Sequence, residues 1–213
     1  MIIRVPGDSP TIQAGINVAS GGDTVLLAPG TYQGSGNVNL SFGGVDLVLR
    51  SELGSAATVI DCEEVTRGLS FTSGESSAAI LEGVTITNGF DDARGAGVFC
   101  EGSSPILIGC CIQECVVGDD YAYRAEGGGV YCSGGSPTLI DCEITRCTAS
   151  GMPWGTGRGG GLFIEECTMN LLRCRITRNW SSDFGGGLRA SACGTLTLFT
   201  ETLLSRLATR FGE

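Results

Sequence analysis

A repeat of 32 residues most restricts how this chain can fold. Four segments align at spacings of 32, 32 and 26 residues: Gly97–Cys100, Gly129–Cys132, Gly161–Ile164 and Gly187–Ala190. Val130 and Cys132 are two residues apart, which places both side chains on one face of a β-strand. A unit of short strands and glycine turns cannot bury its apolar face alone, so consecutive units must stack on a shared core. The repeat therefore predicts a solenoid.

A second part of each repeat unit makes this prediction more specific. Its three columns are Leu107, Leu139, Leu171 and Thr197; Cys110, Cys142, Cys174 and Thr200; and Ile112, Ile144, Ile176 and Thr202, with a fainter copy at Leu81, Val84 and Ile86. Propeller blades need about 40 to 45 residues and leucine-rich repeats need helical backs. Neither pattern is present. We expect an all-β fold, a single-stranded right-handed parallel β-helix with coils about 4.8 Å apart.

The eleven cysteines fall largely into the repeat columns. Small thiols in a narrow interior behave as buried apolar groups, and the competing interpretations are disulfide bonds or a metal site. The columns run along the axis instead of converging on a point, and the chain has no histidine, which disfavours tetrahedral zinc. We expect most thiols to be free groups of the core.

The N-terminal segment predicts a cap on the solenoid. Ser9 suits a helix N-cap, Pro10 suits the first helical position, and apolar residues recur at helical spacing in residues 11–19. The predicted domain is single, spanning 1–213, with a strand and capping helix in 1–22, coils in 23–204 and an irregular end in 205–213. An uncovered last coil is a template for strand pairing, so we expect one of three outcomes: the end folds as an improvised cap, the protein self-associates end to end, or the natural protein is longer.

Charge and composition restrict the partners. All 13 basic residues are arginines and the formal net charge is -10, which disfavours nucleic acid and anionic membranes. No stretch approaches the roughly 20 apolar residues of a membrane span, and residues 1–10 lack the apolar core of a signal peptide. We therefore expect neither a nucleic-acid partner nor a membrane span.

Two stretches near the N-terminus carry a resemblance to a known family. Residues 10–17, Pro-Thr-Ile-Gln-Ala-Gly-Ile-Asn, and residues 22–32, Gly-Asp-Thr-Val-Leu-Leu-Ala-Pro-Gly-Thr-Tyr, are similar to the N-terminal signature of bacterial pectin-lyase-like β-helix proteins. The later units Gly-Gly-Gly-Val-Tyr and Ser-Pro-Thr-Leu-Ile-Asp-Cys-Glu-Ile-Thr resemble repeats of secreted surface proteins, including polymorphic outer-membrane repeats. The resemblance covers nearly all of residues 5–200 and implies an extracellular or cell-surface location. It leaves the activity open, because that superfamily includes lyases, hydrolases, esterases, epimerases and non-catalytic stalks.

Several reactions of the resembled superfamily are disfavoured by residue type. The Gly-His-Gly motif of polygalacturonase-like hydrolases and the Asp-Pro-His-Glu motif of alginate epimerase-like enzymes both need histidine, and lysine-base lyases need lysine. The chain contains neither residue, and it lacks the Gly-Thr-Val-Asp-Phe-Ile-Phe-Gly stretch of pectin methylesterases. An arginine-base lyase with bound calcium, or a hydrolase with two carboxylates, remains compatible with the sequence.

The candidate functional residues lie in loops that precede the repeated glycines, so they should leave the solenoid along one edge. The catalytic candidates are Asp92, Asp119, Asp120, Arg124 and Arg158. The ligand-binding candidates are Tyr121, Tyr123, Trp154 and Asp183. Calcium is the candidate cofactor, with Asp91, Asp92, Asp119 and Asp120 as its candidate ligands. Aromatic rings beside charged groups are the mixture that carbohydrate sites use.

The leading hypothesis is a non-catalytic extracellular or cell-surface β-helix module with carbohydrate as the candidate ligand of its loop edge. The alternative is a polysaccharide lyase or glycoside hydrolase of pectin-lyase-like fold. An enzyme must bring two loop carboxylates, or a carboxylate and an arginine, around one open cleft, whereas a stalk needs no such convergence. Solvated loops with surface ion pairs worth about 0 to 1 kcal/mol are the competing structural interpretation.

Overall fold

The computed structural model describes residues 1–118, 123–151, 155–199 and 203–204, and every strand pairing in these ranges is parallel. Three long sheets, here called faces A, B and C, enclose the core. Face A contains Ile2–Val5, Thr24–Leu27, Val48–Ser51, Ile80–Glu82, Ile106–Ile108, Thr138–Ile140, Thr168–Leu172 and Thr195–Phe199. Face B contains Gly30–Tyr32, Thr58–Asp61, Thr85–Thr87, Cys111–Gln113, Glu143–Thr145, Arg175–Thr177 and Leu203–Leu204. Face C contains Leu40–Ser41, Leu69–Phe71, Val98–Glu101, Val130–Ser133, Leu162–Glu165 and Leu188–Ser191.

Segments that leave face B and return to face C form what we call the loop edge. Its longer loops carry two small parallel sheets of their own. One contains Phe90–Asp91, Val116–Val117, Thr148–Ala149 and Trp180–Ser181, and the other contains Arg124–Glu126 and Thr156–Arg158. The loops are therefore stacked in register like the coils from which they emerge.

The observed register confirms the columns expected for the middle of the chain. Val130 lies opposite Val98 on one side and Leu162 on the other, and Ile144 lies between Ile112 and Ile176 in the same way. All of these side chains are buried in one continuous core. The β-helix fold expected from the 32-residue repeat is therefore present.

The register expected for the last coil is wrong. Leu198, and not Thr197, lies opposite Leu171, and Leu204, and not Thr202, lies opposite Ile176. The offset is 26 residues as far as Ser191, 27 from Thr195 onwards and 28 at Leu204. Extra residues in this coil shift its strands, so Leu198 and Leu204 take the register positions expected for Thr197 and Thr202. Thr200, Thr202 and the expected irregular end at 205–213 lie outside the described residues.

The single helix of the described residues covers the first coil, as expected. It spans Ile12–Val18, and its N-cap is Thr11, whose hydroxyl accepts a hydrogen bond from the Ala14 amide at 3.3 Å. The expected cap at Ser9 is wrong, because Thr11 adopts the extended conformation of an N-cap and Pro10 therefore lies outside the helix. A Cβ on Gly15 would lie 3.1 Å from Val25, so glycine allows the helix to approach the first strands closely.

All eleven cysteines are free thiols, as expected for most of them. Nine are buried, and Cys111 and Cys193 are partly exposed. Cys142 and Cys174 each place Sγ 3.4 to 3.5 Å from a backbone carbonyl of the preceding coil, which a weak S–H donor can use. Burial raises the pKa of both Cys62 and Cys167 to about 12, so these thiols stay protonated and behave as apolar core groups.

Glu75 is a buried acid that ties together the turns of three coils. Its carboxylate accepts hydrogen bonds from the Gly44 amide at 3.0 Å, from the Ser73 amide at 3.0 Å and from the Ser103 hydroxyl at 2.8 Å. Burial acts to raise the pKa of Glu75, but these hydrogen bonds to the charged form outweigh it and hold the pKa below its usual value.

The lowered pKa of Glu75 predicts that the protein loses stability in acid. Because its pKa is lower in the folded than in the unfolded chain, its stabilisation is complete above the unfolded pKa of about 4.3 and disappears as pH falls through the folded pKa. Urea unfolding from about pH 7 to about pH 3 should show Glu75→Gln less stable than wild type at neutral pH, with the difference shrinking in acid. The exposed Glu101→Gln should show no such convergence, and a constant difference for Glu75→Gln would contradict this role.

The core register predicts that Val130→Asp unfolds the middle coils. Val130 is 1% exposed between two apolar neighbours, so the substitution buries an unpaired charge and should cost at least about 4 kcal/mol. Val65→Asp is the matched control, because Val65 is 76% exposed and should tolerate the charge. Circular dichroism and thermal unfolding measure both variants. A folded Val130→Asp protein with wild-type stability would contradict the register.

Candidate functional site

The loop edge stacks charged residues in a column that crosses consecutive coils. Arg94 pairs with Glu126 through a β-bridge, Glu126 pairs with Arg158 in the neighbouring strand, and Arg158 pairs with Phe184. The backbone fixes this alignment, because the Gly95 amide donates to the Glu126 carbonyl at 3.1 Å. The charges along the column therefore alternate in sign.

Aromatic rings form a second column on the outer side of face C. The rings of Phe99, Tyr131 and Phe163 stack with centroid distances of 5.2 and 5.6 Å and nearly parallel planes. These side chains alternate with inward-facing neighbours and so point away from the core, yet Tyr131 is 1% exposed. The stacked loops cover Tyr131 and Phe163, whereas Phe99 is partly exposed. The Arg67 and Arg94 guanidinium groups lie 4.6 and 5.1 Å from the Phe99 and Tyr131 ring centroids, within cation–π range.

Glu126 joins the two columns and is closed to solvent. Its side chain is 0% exposed, Arg94 Nε lies 3.1 Å from one carboxylate oxygen, and Arg158 Nη1 lies 3.6 Å from the other. The second oxygen has no hydrogen-bond partner among the described residues, so Arg158 compensates it by charge alone. A buried carboxylate needs such compensation. The charges of Arg94 and Arg158 are therefore both used to neutralise the Glu126 carboxylate.

Tyr131 also stabilises the stacking of the coils through a hydrogen bond. Its hydroxyl donates a hydrogen bond to a carboxylate oxygen of Glu165 at 3.1 Å. Burial raises the pKa of Tyr131 to about 12, so the phenol stays protonated and continues to donate. The ring and the hydroxyl together fasten one coil to the next.

Comparison with known proteins agrees with this architecture. Residues 54–201 match the model of the right handed beta helix region family. The chain belongs to this family. It is also similar to a mutant pectin methylesterase solved in complex with a hexasaccharide, with 14% sequence identity and a TM-score of 0.36. The match covers 96% of this chain and 56% of that chain, so this chain spans just over half the length of that protein. No curated protein gives a significant match.

The predicted acidic residues that the structure describes are Asp91, Asp92 and Asp183. Asp91 lies 2.6 Å from an Arg67 nitrogen and accepts hydrogen bonds from the Ala93 and Arg94 amides at 2.9 and 2.8 Å. Asp183 accepts a hydrogen bond from the Gly157 amide at 2.7 Å. Asp92 is exposed. Within the described ranges, no three acidic or cysteine side chains cluster as metal ligands would, and the candidates Asp119 and Asp120 lie outside those ranges.

The predicted arginines and aromatic residues have divergent environments. Arg158 contacts Glu126, as described, whereas Arg124 is exposed at the first position of its strand. Tyr123 is 75% exposed beside it. Tyr121 and Trp154 lie outside the described residues. The two arginines are therefore not equivalent: Arg158 contacts the buried Glu126, whereas Arg124 is exposed to solvent.

Sequence reasoning missed Glu126, Tyr131 and Trp180 as individual residues of interest. The signal for the first two is present in the sequence, because Arg94, Glu126 and Arg158 recur at 32-residue intervals, as do Phe99, Tyr131 and Phe163. Trp180 is 50% exposed and lies opposite Thr148 in the four-stranded edge sheet. In the part of the chain that the structure describes, no helix has the length and apolar character needed to cross a membrane.

The charge column predicts that Glu126→Gln loosens the loop edge. Removing the carboxylate leaves two partly buried arginines without their counter-charge, which should cost about 1–3 kcal/mol. Urea unfolding should show this loss, and trypsin should cleave faster after Arg94 and Arg158. Glu143→Gln is the control, because Glu143 and Arg175 are exposed and 3.9 Å apart, a pair worth about 0 to 1 kcal/mol. Equal stability of the two variants would contradict a holding role for Glu126.

Proposed function

We propose that this β-helix is a non-catalytic extracellular or cell-surface module that binds carbohydrate along its loop edge. The observation that carries the proposal is the complete burial of the Glu126 side chain against Arg94 and Arg158. Catalysis needs a carboxylate that substrate and water can reach. Glu126 contacts two arginines in the arrangement that an enzyme would need, but its side chain has no exposed surface. Structural stabilisation accounts for this arrangement.

The exposed side chains of the loop edge support a ligand that stacks on aromatic rings. Tyr123 and Trp180 are 75% and 50% exposed, which leaves their rings available to the apolar face of a sugar. The exposed Arg124 adjoins Tyr123 and can donate a two-pronged hydrogen bond to a carboxylate or to hydroxyls. Ring stacking and hydrogen bonds of this kind bind a sugar without any chemical reaction. The extracellular or cell-surface location belongs to the same proposal.

The proposal predicts binding without turnover. A panel of neutral and acidic oligosaccharides is tested by calorimetry, and release of reducing and unsaturated sugar ends is measured on the corresponding polysaccharides. We expect binding of at least one oligosaccharide, about tenfold weaker in the Tyr123→Ala, Trp180→Ala double variant because two stacking contacts are lost. Leu53→Ala is the control, since Leu53 is also exposed but lies outside the loop edge.

Two results would overturn the proposal. Release of sugar ends that is abolished in Asp92→Ala or Arg124→Ala would establish the lyase or hydrolase alternative. Binding that is equally strong in wild type and in the double variant, or that is absent for every oligosaccharide, would remove the aromatic residues from any ligand contact.

A further inference from the structure

A groove opens at the N-terminal end of the loop edge, beyond the residues assigned to carbohydrate above. It has a volume of about 550 Å³, within the range of small-molecule sites. Its walls are the loop of residues 34–39 and the loop of residues 62–66 in the next coil. The lining side chains that matter here are Gln13, Ser35, Asn39, Glu63, Val65 and Thr66.

The polar lining of the groove is only partly used by the protein itself. Glu63 is fixed because one of its carboxylate oxygens accepts a hydrogen bond from the Gly34 amide at 3.2 Å. The side chains of Ser35, Asn39 and Thr66 make no hydrogen bond to any residue that the structure describes. The groove therefore offers hydroxyl and amide groups beside an anchored carboxylate.

The electrostatic character of the groove is acidic. Glu63 is exposed in its lining, and among the residues that the structure describes no basic side chain lines it. The nearest arginine in sequence is Arg67, which pairs with Asp91 and donates to the carbonyls of Gly95 and Arg94. Its charge is therefore neutralised in the neighbouring loop and does not offset the carboxylate of the groove. The groove should repel a uronate and attract a cation.

We propose that this groove binds an amine-bearing sugar, an oligosaccharide of 2-amino-2-deoxyhexose units. The ammonium group would donate to the Glu63 carboxylate, and the sugar hydroxyls would bond to Asn39, Ser35 and Thr66. Val65 at the groove wall offers apolar contact to the ring C–H groups. This site goes beyond the proposed function, because it uses neither Tyr123 nor Trp180 and selects its ligand by charge.

The test compares a glucosamine tetramer with its fully N-acetylated form by calorimetry at low ionic strength. Acetylation removes the positive charges and keeps the sugar frame. We expect the amine form to bind at least about tenfold more tightly, because a charge-assisted hydrogen bond is lost on acetylation. The difference should shrink at high salt, which screens partly exposed charges. Equal affinity for the two tetramers would overturn the proposal.

Matched variants separate the groove from a general attraction by the acidic protein. Glu63→Gln should weaken binding of the amine form about tenfold. Glu101→Gln, an exposed acid on face C, removes the same charge elsewhere and should leave the affinity unchanged. Equal weakening by Glu63→Gln and Glu101→Gln would overturn the proposal, and thermal unfolding confirms that each variant is folded.

The outcome is independent of the proposed function. The Tyr123→Ala, Trp180→Ala double variant leaves the groove intact and should retain tight binding of the glucosamine tetramer. If that double variant loses binding of the tetramer while Glu63→Gln keeps it, the amine-bearing sugar binds at the aromatic residues and the groove proposal fails.

Discussion

In-register parallel stacking of consecutive coils is the constraint on which the rest of this structure depends. No coil can bury its apolar side chains alone, so Val130 is covered only because Val98 and Leu162 lie on either side of it. Backbone hydrogen bonds follow the same rule, since the Val130 amide donates to the Gly161 carbonyl of the next coil at 2.8 Å. The register also decides which charges meet. Glu126 lies between Arg94 and Arg158 because the coils that carry them are adjacent.

The sequence predicts the middle coils well because identical residue types recur at a constant interval. Cys100 lies opposite Cys132 in the neighbouring strand, as expected, and Ile112 lies opposite Ile144 in the same way. Prediction failed in the last coil, where an extra residue near Ala192, at a φ of 47°, moves Leu198 into the column. A gap-free alignment cannot find such an insertion when both registers keep a plausible alternation of side chains. The N-cap failed for a similar reason, because Ser9 and Thr11 are both good caps in sequence.

The candidate site was only partly predictable because its burial depends on the path of the loops. Acids and arginines before the glycines suggested an open ligand edge, and Tyr123 and Arg124 are indeed exposed. Glu126 is instead covered, because an aromatic column lies beneath the loops and draws the arginines onto face C. Alternating strand geometry indicates which side of a sheet a ring occupies, but not that a later loop will fold over it. Arg158, a catalytic candidate from the sequence, is therefore part of the ion-pair network that stabilises the loop edge.

The stacked-coil fold requires coils that pair at 32-residue intervals, and amide–amide nuclear Overhauser contacts in deuterated protein report this pairing. In stacked coils the amide proton of Tyr131 should contact those of Phe99 and Phe163, which lie opposite it in the neighbouring strands. A β-hairpin fold would instead give contacts between successive strands of one repeat, such as Val130–Ser133 and Thr138–Ile140. Contacts of Tyr131 with Phe99 and Phe163 would establish the stacked coils, and the hairpin pattern would contradict them.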